Sequence, residues 1–216
     1  LSEVETRARV YRSLSANMDR PDALNALNDA LLGELEHALA SVCRDRSVRC
    51  LVLTGAGRAF SAGGDVKDMH ASEDPQTFLR DLSRSIHRCV LELRGAPFPV
   101  IGAANGMAVG AGLGLLLSCD LIVAREGSKL KAGFTNVGLA PGCGTWFIPK
   151  MTGYHRACWM VFADEPVEAR QAMEWGLVNR VFPADEFEGE VATLASRLAA
   201  GPTTAFGRAK HLMNLS

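Results

Sequence analysis

The sequence predicts an α/β fold, and three observations carry that expectation. Short apolar runs suited to buried strands stand at 49–54, 100–104 and 120–124. Between and before them, apolar residues recur with the spacing of one helix face. Two of the runs pass directly into glycine-rich turns. Strands that alternate with helices in this way define the α/β class.

The elements follow in chain order. Residues 1–12 are polar and read poorly as strands. Leu24, Leu27, Leu31, Leu35 and Leu39 mark one helix face, with Asp22 as the expected N-cap ahead of it. The run 49–54 ends at Gly55-Ala-Gly57, and a glycine-rich loop continues over 55–64. Phe78, Leu82, Ile86, Val90 and Leu93 then predict a helix from Pro75 to Arg94. The next run, Val100 to Ala104, breaks at Asn105-Gly106, a strong turn signal. The residues from Gly110 onward suit a closely packed helix, and Asp120 to Ala124 a third buried strand. Residues 166–175 read as helix with Gly176 as the stop, and 177–182 as strand. Helices over about 185–199 and 203–214 close the chain. No charged linker or repeat divides it, so a single core with a helical C-terminal part is expected.

Bulk properties remove several function classes. A chain of 216 residues buries a substantial core. Its formal net charge is -1 and no long basic run occurs, so nucleic acid and anionic membranes are not expected partners. Gly95 to Cys119 carries no charge and is long enough to span a bilayer. Pro97, Pro99, Asn105 and repeated glycines instead divide it into a strand, a turn and a helix. The cysteines at 43, 50, 89, 119, 143 and 158 form no CxxC pair and no zinc-spaced cluster with histidine. They read as buried thiols in a reducing compartment, and no metal site is expected. The polar start lacks the apolar core of a signal peptide, and a cytoplasmic location is the expectation.

Chemistry concentrates in the two glycine-rich loops, Arg58 to Met69 and Ala104 to Gly114. Glycine lets a backbone approach a ligand closely, and a turn that opens a helix presents free N–H groups. A dinucleotide fingerprint fails, because Gly110, Gly112 and Gly114 run G-x-G-x-G rather than G-x-G-x-x-G. No P-loop, nucleophile elbow or H-E-x-x-H motif is present.

Six segments in order resemble the signatures of the enoyl-CoA hydratase/isomerase (crotonase) superfamily. They are Arg20-Pro-Asp-Ala-Leu-Asn-Ala-Leu27, Ala59-Phe-Ser-Ala-Gly-Gly-Asp65, Ala104 to Gly112, Cys119-Asp120, Gly138-Leu-Ala-Pro-Gly142 and Glu174-Trp-Gly-Leu-Val178. The resemblance implies a crotonase-like spiral of ββα turns over 1–183, with a C-terminal helical region at 184–216. It also implies a homotrimer, often paired into a hexamer. Coenzyme A would enter as part of the substrate, with no separate cofactor. Carried over by position, Gly64 and Ala111 supply two oxyanion-hole N–H groups. Asp22, Ala23, Leu24, Ala62, Asp65 and Val66 lie along the coenzyme A. Arg58 and Lys67 are candidates for its phosphates, as is Lys210 from a neighbouring subunit. A solvated surface charge is the ordinary alternative for each basic residue.

The family's two hydratase glutamates would fall at Gly114 and Phe134, and an alternative aspartate at Gly142. None of these residues moves protons, so the resemblance implies an isomerase- or lyase-like reaction through a thioester enolate rather than two-glutamate hydration. Gly114 and Phe134 then belong to the substrate site. His87 aligns with a histidine of the family's aromatic acyl-CoA dehalogenases and is the candidate acid/base, with His70 the alternative. Cys143, assisted by His155, is a candidate nucleophile for thioester hydrolysis. Phe134, Trp146 and Phe147 are expected to shape an apolar acyl pocket. A silent acyl-CoA-binding scaffold is the competing function. Family members usually continue past the position of Ser216 into helices that cover this pocket, so the C-terminal region reads as truncated.

Overall fold

The computed structural model describes residues 4–9, 13–142 and 144–215. β1 (Val4–Arg9) and β2 (Ser13–Met18) form an antiparallel pair, although residues 1–12 carry no strand pattern of their own. A 3₁₀ turn at Pro21–Ala23 leads to α1 (Asp29–Arg44), which buries Leu31, Leu32, Leu35, Leu39 and Val42. Its cap is Asn28, whose side chain accepts from Leu31 N at 2.9 Å, and not Asp22. The reason lies in Leu24 and Asn25, which are left-handed with φ of 52° and 55°. The buried Asn25 amide donates to Ala56 O and Ala59 O at 2.9 and 2.8 Å. Residues 24–27 therefore tie down the glycine-rich loop and cannot wind into the helix.

β3 (Cys50–Gly55) is followed by the short β4 (Ala59–Ser61), then α2 (Val66–Ala71) and α3 (Pro75–Gly95). Asp74 caps α3 by accepting from Thr77 N at 3.1 Å, with Pro75 at the first helical position. β5 (Val100–Ala104), β6 (Met107–Val109) and α4 (Ala111–Leu117) form the next turn of the spiral. β7 (Leu121–Arg125) and β8 (Lys129–Lys131) begin another. A 3₁₀ turn at Thr135–Val137, α5 (Gly144–Thr152), α6 (Tyr154–Cys158) and a π-helical turn at Trp159–Ala163 come next. β9 (Val167–Glu168), α7 (Ala169–Glu174), β10 (Arg180–Phe182), α8 (Phe187–Ala200) and α9 (Thr203–Asn214) complete the described chain. Residues 166–175, read as one helix, thus begin as a strand. The strand expected over 177–182 is confined to 180–182.

The strands build two sheets, with orders β1-β2-β3-β5-β7-β10 and β4-β6-β8-β9. β2 through β10 run parallel in the first sheet, and β4, β6 and β8 run parallel in the second. Successive turns give one strand to each sheet. α1, α3 and α4 pack a large apolar core that includes Leu31, Leu53, Phe60, Leu93 and Leu113. α8 covers the opposite face of the first sheet, where Phe187, Val191 and Ala195 meet Val52, Ile101 and Val123.

α9 is fastened from below. Lys210 is 5% exposed and donates to Leu93 O and to Asp120 Oδ2, each at 2.7 Å. Its ammonium is thus committed inside the subunit, which removes it as a phosphate ligand. Among the described residues, no helix is long and apolar enough to cross a membrane.

Candidate active site

The first loop is shaped by Leu27. Leu27 N donates to Gly63 O at 2.7 Å and Leu27 O accepts from Asp65 N at 3.0 Å, which skips the Gly64 amide between them. Buried Ser61 steadies the turn, its hydroxyl donating to Asn25 O at 2.8 Å and accepting from Gly63 N at 3.2 Å. In the second loop Gly110 N donates to Lys131 O and Gly114 N to Gly110 O, each at 3.1 Å. Ala111 opens α4, where an N–H has no intrahelical acceptor. Among the described residues, neither the Gly64 N–H nor the Ala111 N–H meets an acceptor.

The loops are in direct contact, and two glycines make this possible. Gly63 has φ of +90°, and a Cβ there would lie 2.9 Å from Val109 O and 3.6 Å from Ala111 N. A Cβ on Gly112 would lie 2.6 Å from Ser61 Oγ. Any side chain at either position would push the two strand ends apart.

Above this floor is a cavity of about 280 Å³. Ala62 to Val66 with Gly110 and Ala111 form its base, and Met69, Phe78, Leu82, Ile86 and His87 one wall. Gly133, Phe134, Val137, Leu139, Ala140 and Gly142 form the other. Its titratable groups, among the described residues, are Asp65 and His87. Asp65 is 8% exposed and already engaged. Its Oδ2 lies 3.2 Å from Arg20 Nη1, and its Oδ1 caps α2 by accepting from Lys67 N at 3.2 Å. That leaves His87, which reaches the cavity from an exposed face of α3.

Of the residues singled out in the sequence, Ala62, Gly64, Asp65, Val66, His87, Ala111 and Phe134 meet at this cavity. Asp22, Ala23 and Leu24 stand outside it, although Leu24 O accepts from Ala62 N at 2.9 Å. Arg58 and Lys67 are exposed on the neighbouring loop and on α2. Gly114 is buried within α4 and does not line the cavity. His70 is exposed on α2, its Nδ1 2.8 Å from Val66 O, and His155 is exposed on α6. Phe147 is buried in the main core rather than in the pocket. Trp146 is 60% exposed, with Lys150 Nζ 3.6 Å above its ring. The Cys143 nucleophile lies outside the described residues. Arg20, Asn25 and Ser61 carry no predicted role in the sequence, yet they hold the first loop in place. A polar residue inside a run of apolar neighbours, as at Asn25 and Ser61, was the available signal.

Parallel ββα turns enclosing an apolar cavity over two touching glycine loops define an α/β spiral of the expected kind. Residues 14–216 match the family model described as enoyl-CoA hydratase/isomerase. The chain is 37% identical over 206 residues to 1,2-epoxyphenylacetyl-CoA isomerase of Escherichia coli, covering 93% of this chain and 78% of the relative. It is 35% identical over 195 residues to 4-chlorobenzoyl coenzyme A dehalogenase-1 of Arthrobacter sp, covering 89% and 71%. It superposes on the crystal structure of an enoyl-CoA hydratase from Mycobacterium avium subsp. paratuberculosis with a TM-score of 0.90 at 30% identity, over 100% of this chain and 85% of that one. The chain belongs to the enoyl-CoA hydratase/isomerase family.

Proposed function

We propose that the chain binds an acyl-coenzyme A thioester in this cavity, with the thioester oxygen between the Gly64 and Ala111 N–H groups. Both amides line one apolar cavity and, among the described residues, neither has an acceptor; this observation carries the reading. Removing a proton beside a thioester moves negative charge onto the carbonyl oxygen. Two fixed donors in a site that excludes water stabilise that charge, and losing one typically lowers turnover ~100- to 1,000-fold.

His87 is the proposed proton carrier. Among the described residues it is the titratable side chain at the cavity without an ion pair, since Asp65 is held by Arg20. With Gly114 and Phe134 at the family's glutamate positions, proton relocation or elimination fits better than two-glutamate hydration. The reaction is thus isomerase- or lyase-like. The apolar walls, and relatives named for aromatic thioesters, support a compact acyl or aryl group. Coenzyme A enters as substrate, its nucleotide lying along Asp22 to Leu24 with Arg58 and Lys67 near its phosphates. A homotrimer or hexamer is proposed on the family reading and is supported by the exposed Trp159 and Phe162; light scattering tests it.

The decisive comparison is Gly64→Pro against Gly64→Ala. Proline removes the N–H, whereas an alanine Cβ meets only Leu82 Cδ2 at 3.3 Å. Turnover of a panel of acyl-coenzyme A thioesters should fall ~100-fold or more in the proline variant and stay near wild type in the alanine variant. Equal activity in both variants rejects the oxyanion role.

A further inference from the structure

One wall of the cavity hangs from a residue that no motif singled out. β8 ends at Lys131, and the chain enters the wall through Gly133 and Phe134. Gly133 N donates to Asp164 Oδ1 at 2.6 Å. Two residues on, Thr135 Oγ1 donates to Val161 O at 3.0 Å. Both acceptors belong to the π-helical turn at 159–163 and the residue that ends it. Wide turns of this type are uncommon and concentrate at functional sites.

Asp164 is held in an unusual state. Its φ is 50°, left-handed for a residue with a side chain, and that side chain is 1% exposed. Among the described residues Oδ2 is buried without a hydrogen bond, and its ion-pair partner, Lys131 Nζ, stands 3.6 Å away, beyond hydrogen-bond reach. A half-satisfied buried carboxylate is unfavourable, and native proteins rarely keep one without a role. Strain of this sort persists where the surroundings over-determine it. Here both features converge on one product, a fixed Gly133 amide directly before Phe134.

Resting on the acyl-thioester reading, we propose that Asp164 is a positioning residue. By clamping the Gly133 amide it sets how far the Gly133–Phe134 wall stands over the acyl group, and so selects among acyl groups. The residue acts through the wall and touches no substrate. Its influence falls on the acyl end of the ligand and leaves the coenzyme A end alone.

The test uses Asp164→Ala, which removes the acceptor, and Asp164→Asn, which keeps an oxygen for Gly133 N–H. Amide exchange at Gly133, followed by NMR, should quicken roughly five- to tenfold in the alanine variant, but not in the asparagine variant or in β5. Calorimetric titration with free coenzyme A, acetyl-coenzyme A and phenylacetyl-coenzyme A gives the second readout. The alanine variant should change the phenylacetyl-to-acetyl affinity ratio about fivefold with free coenzyme A unaffected, and the asparagine variant should restore it. Unchanged Gly133 exchange, an unchanged ratio in the alanine variant, or an equal change in both variants overturns the proposal. If the wild type binds none of the thioesters, the functional reading fails separately, and the Gly133 exchange alone decides whether Asp164 clamps the wall.

Discussion

Two carboxylates with a lysine partner divide the molecule into a part that is fastened and a part that is poised. Asp120 Oδ2 accepts from Val100 N at 2.8 Å and from Lys210 Nζ at 2.7 Å. Lys210 in turn donates to Leu93 O, so the ammonium is well satisfied although it is 5% exposed. Asp164 and Lys131 are 3.6 Å apart, and Asp164 Oδ2 has no hydrogen bond among the described residues. The completed pair joins α9 to the first sheet, away from the cavity. The incomplete pair stands behind the cavity wall. Buried polar groups that are fully paired make a fold rigid, whereas partly paired ones are retained at a stability penalty.

The largest expected effect breaks the complete pair. Lys210→Ala strands the Asp120 carboxylate and should lower unfolding free energy by about 3 kcal/mol in urea titration. Lys210→Met together with Asp120→Asn keeps an acceptor for Val100 N–H and should recover roughly half of that loss. Failure of the double variant to recover would mean that the charges themselves, not the burial of one unpaired charge, hold α9.

A second effect comes from the thiol beside this pair. Burial, with Asp120 as the second cause, pushes Cys50 from its ordinary 9.0 up to about 12. Below 9.0 the thiol is protonated in both states and its full contribution to stability is present. Between there and about 12 only the unfolded thiol ionises, so stability should fall by about 1.4 kcal/mol per pH unit. Comparing alkaline unfolding of the wild type with Cys50→Ala isolates this slope.

Smaller effects are expected around Asp164. Asp164→Ala removes one hydrogen bond but also a buried oxygen that has none among the described residues, for a net loss of about 1 kcal/mol by the same titration. Lys131→Ala should cost less than Lys210→Ala, because Lys131 is 25% exposed and stands 3.6 Å from Asp164, whose carboxylate keeps its bond from Gly133 N. If Lys131→Ala proves as damaging as Lys210→Ala, the contrast between the two pairs is lost.

Much of this was legible beforehand, and the exceptions have physical causes. The helix face of α3 and the boundaries of β5 follow from periodicity and turn residues, because both elements are long or sharply bounded. β4, β6, β8 and β9 are too short for any periodic signal, and only pairing with neighbours makes them strands. The pattern points to Asp22 as a cap because Leu24 and Leu27 mimic a helix face, whereas in the fold Leu24 and Asn25 are left-handed and Asn28 caps the helix. The loops are legible in the sequence and the family resemblance singles out Gly64 and Ala111 within them, but Trp146 and Phe147 do not reach the pocket. An apolar side chain's direction depends on how α5 docks.

By itself, the sequence determined the α/β class, the two glycine loops and the family, since these rest on local backbone preferences and on ordered motifs. The tertiary structure alone decided which residues meet. It committed Lys210 to Asp120, gave Asp65 to Arg20, left His87 at the cavity, and set Asp164 behind Gly133. Those partners lie 31 to 90 residues apart in the chain. No local preference encodes contacts over such distances; burial and packing do.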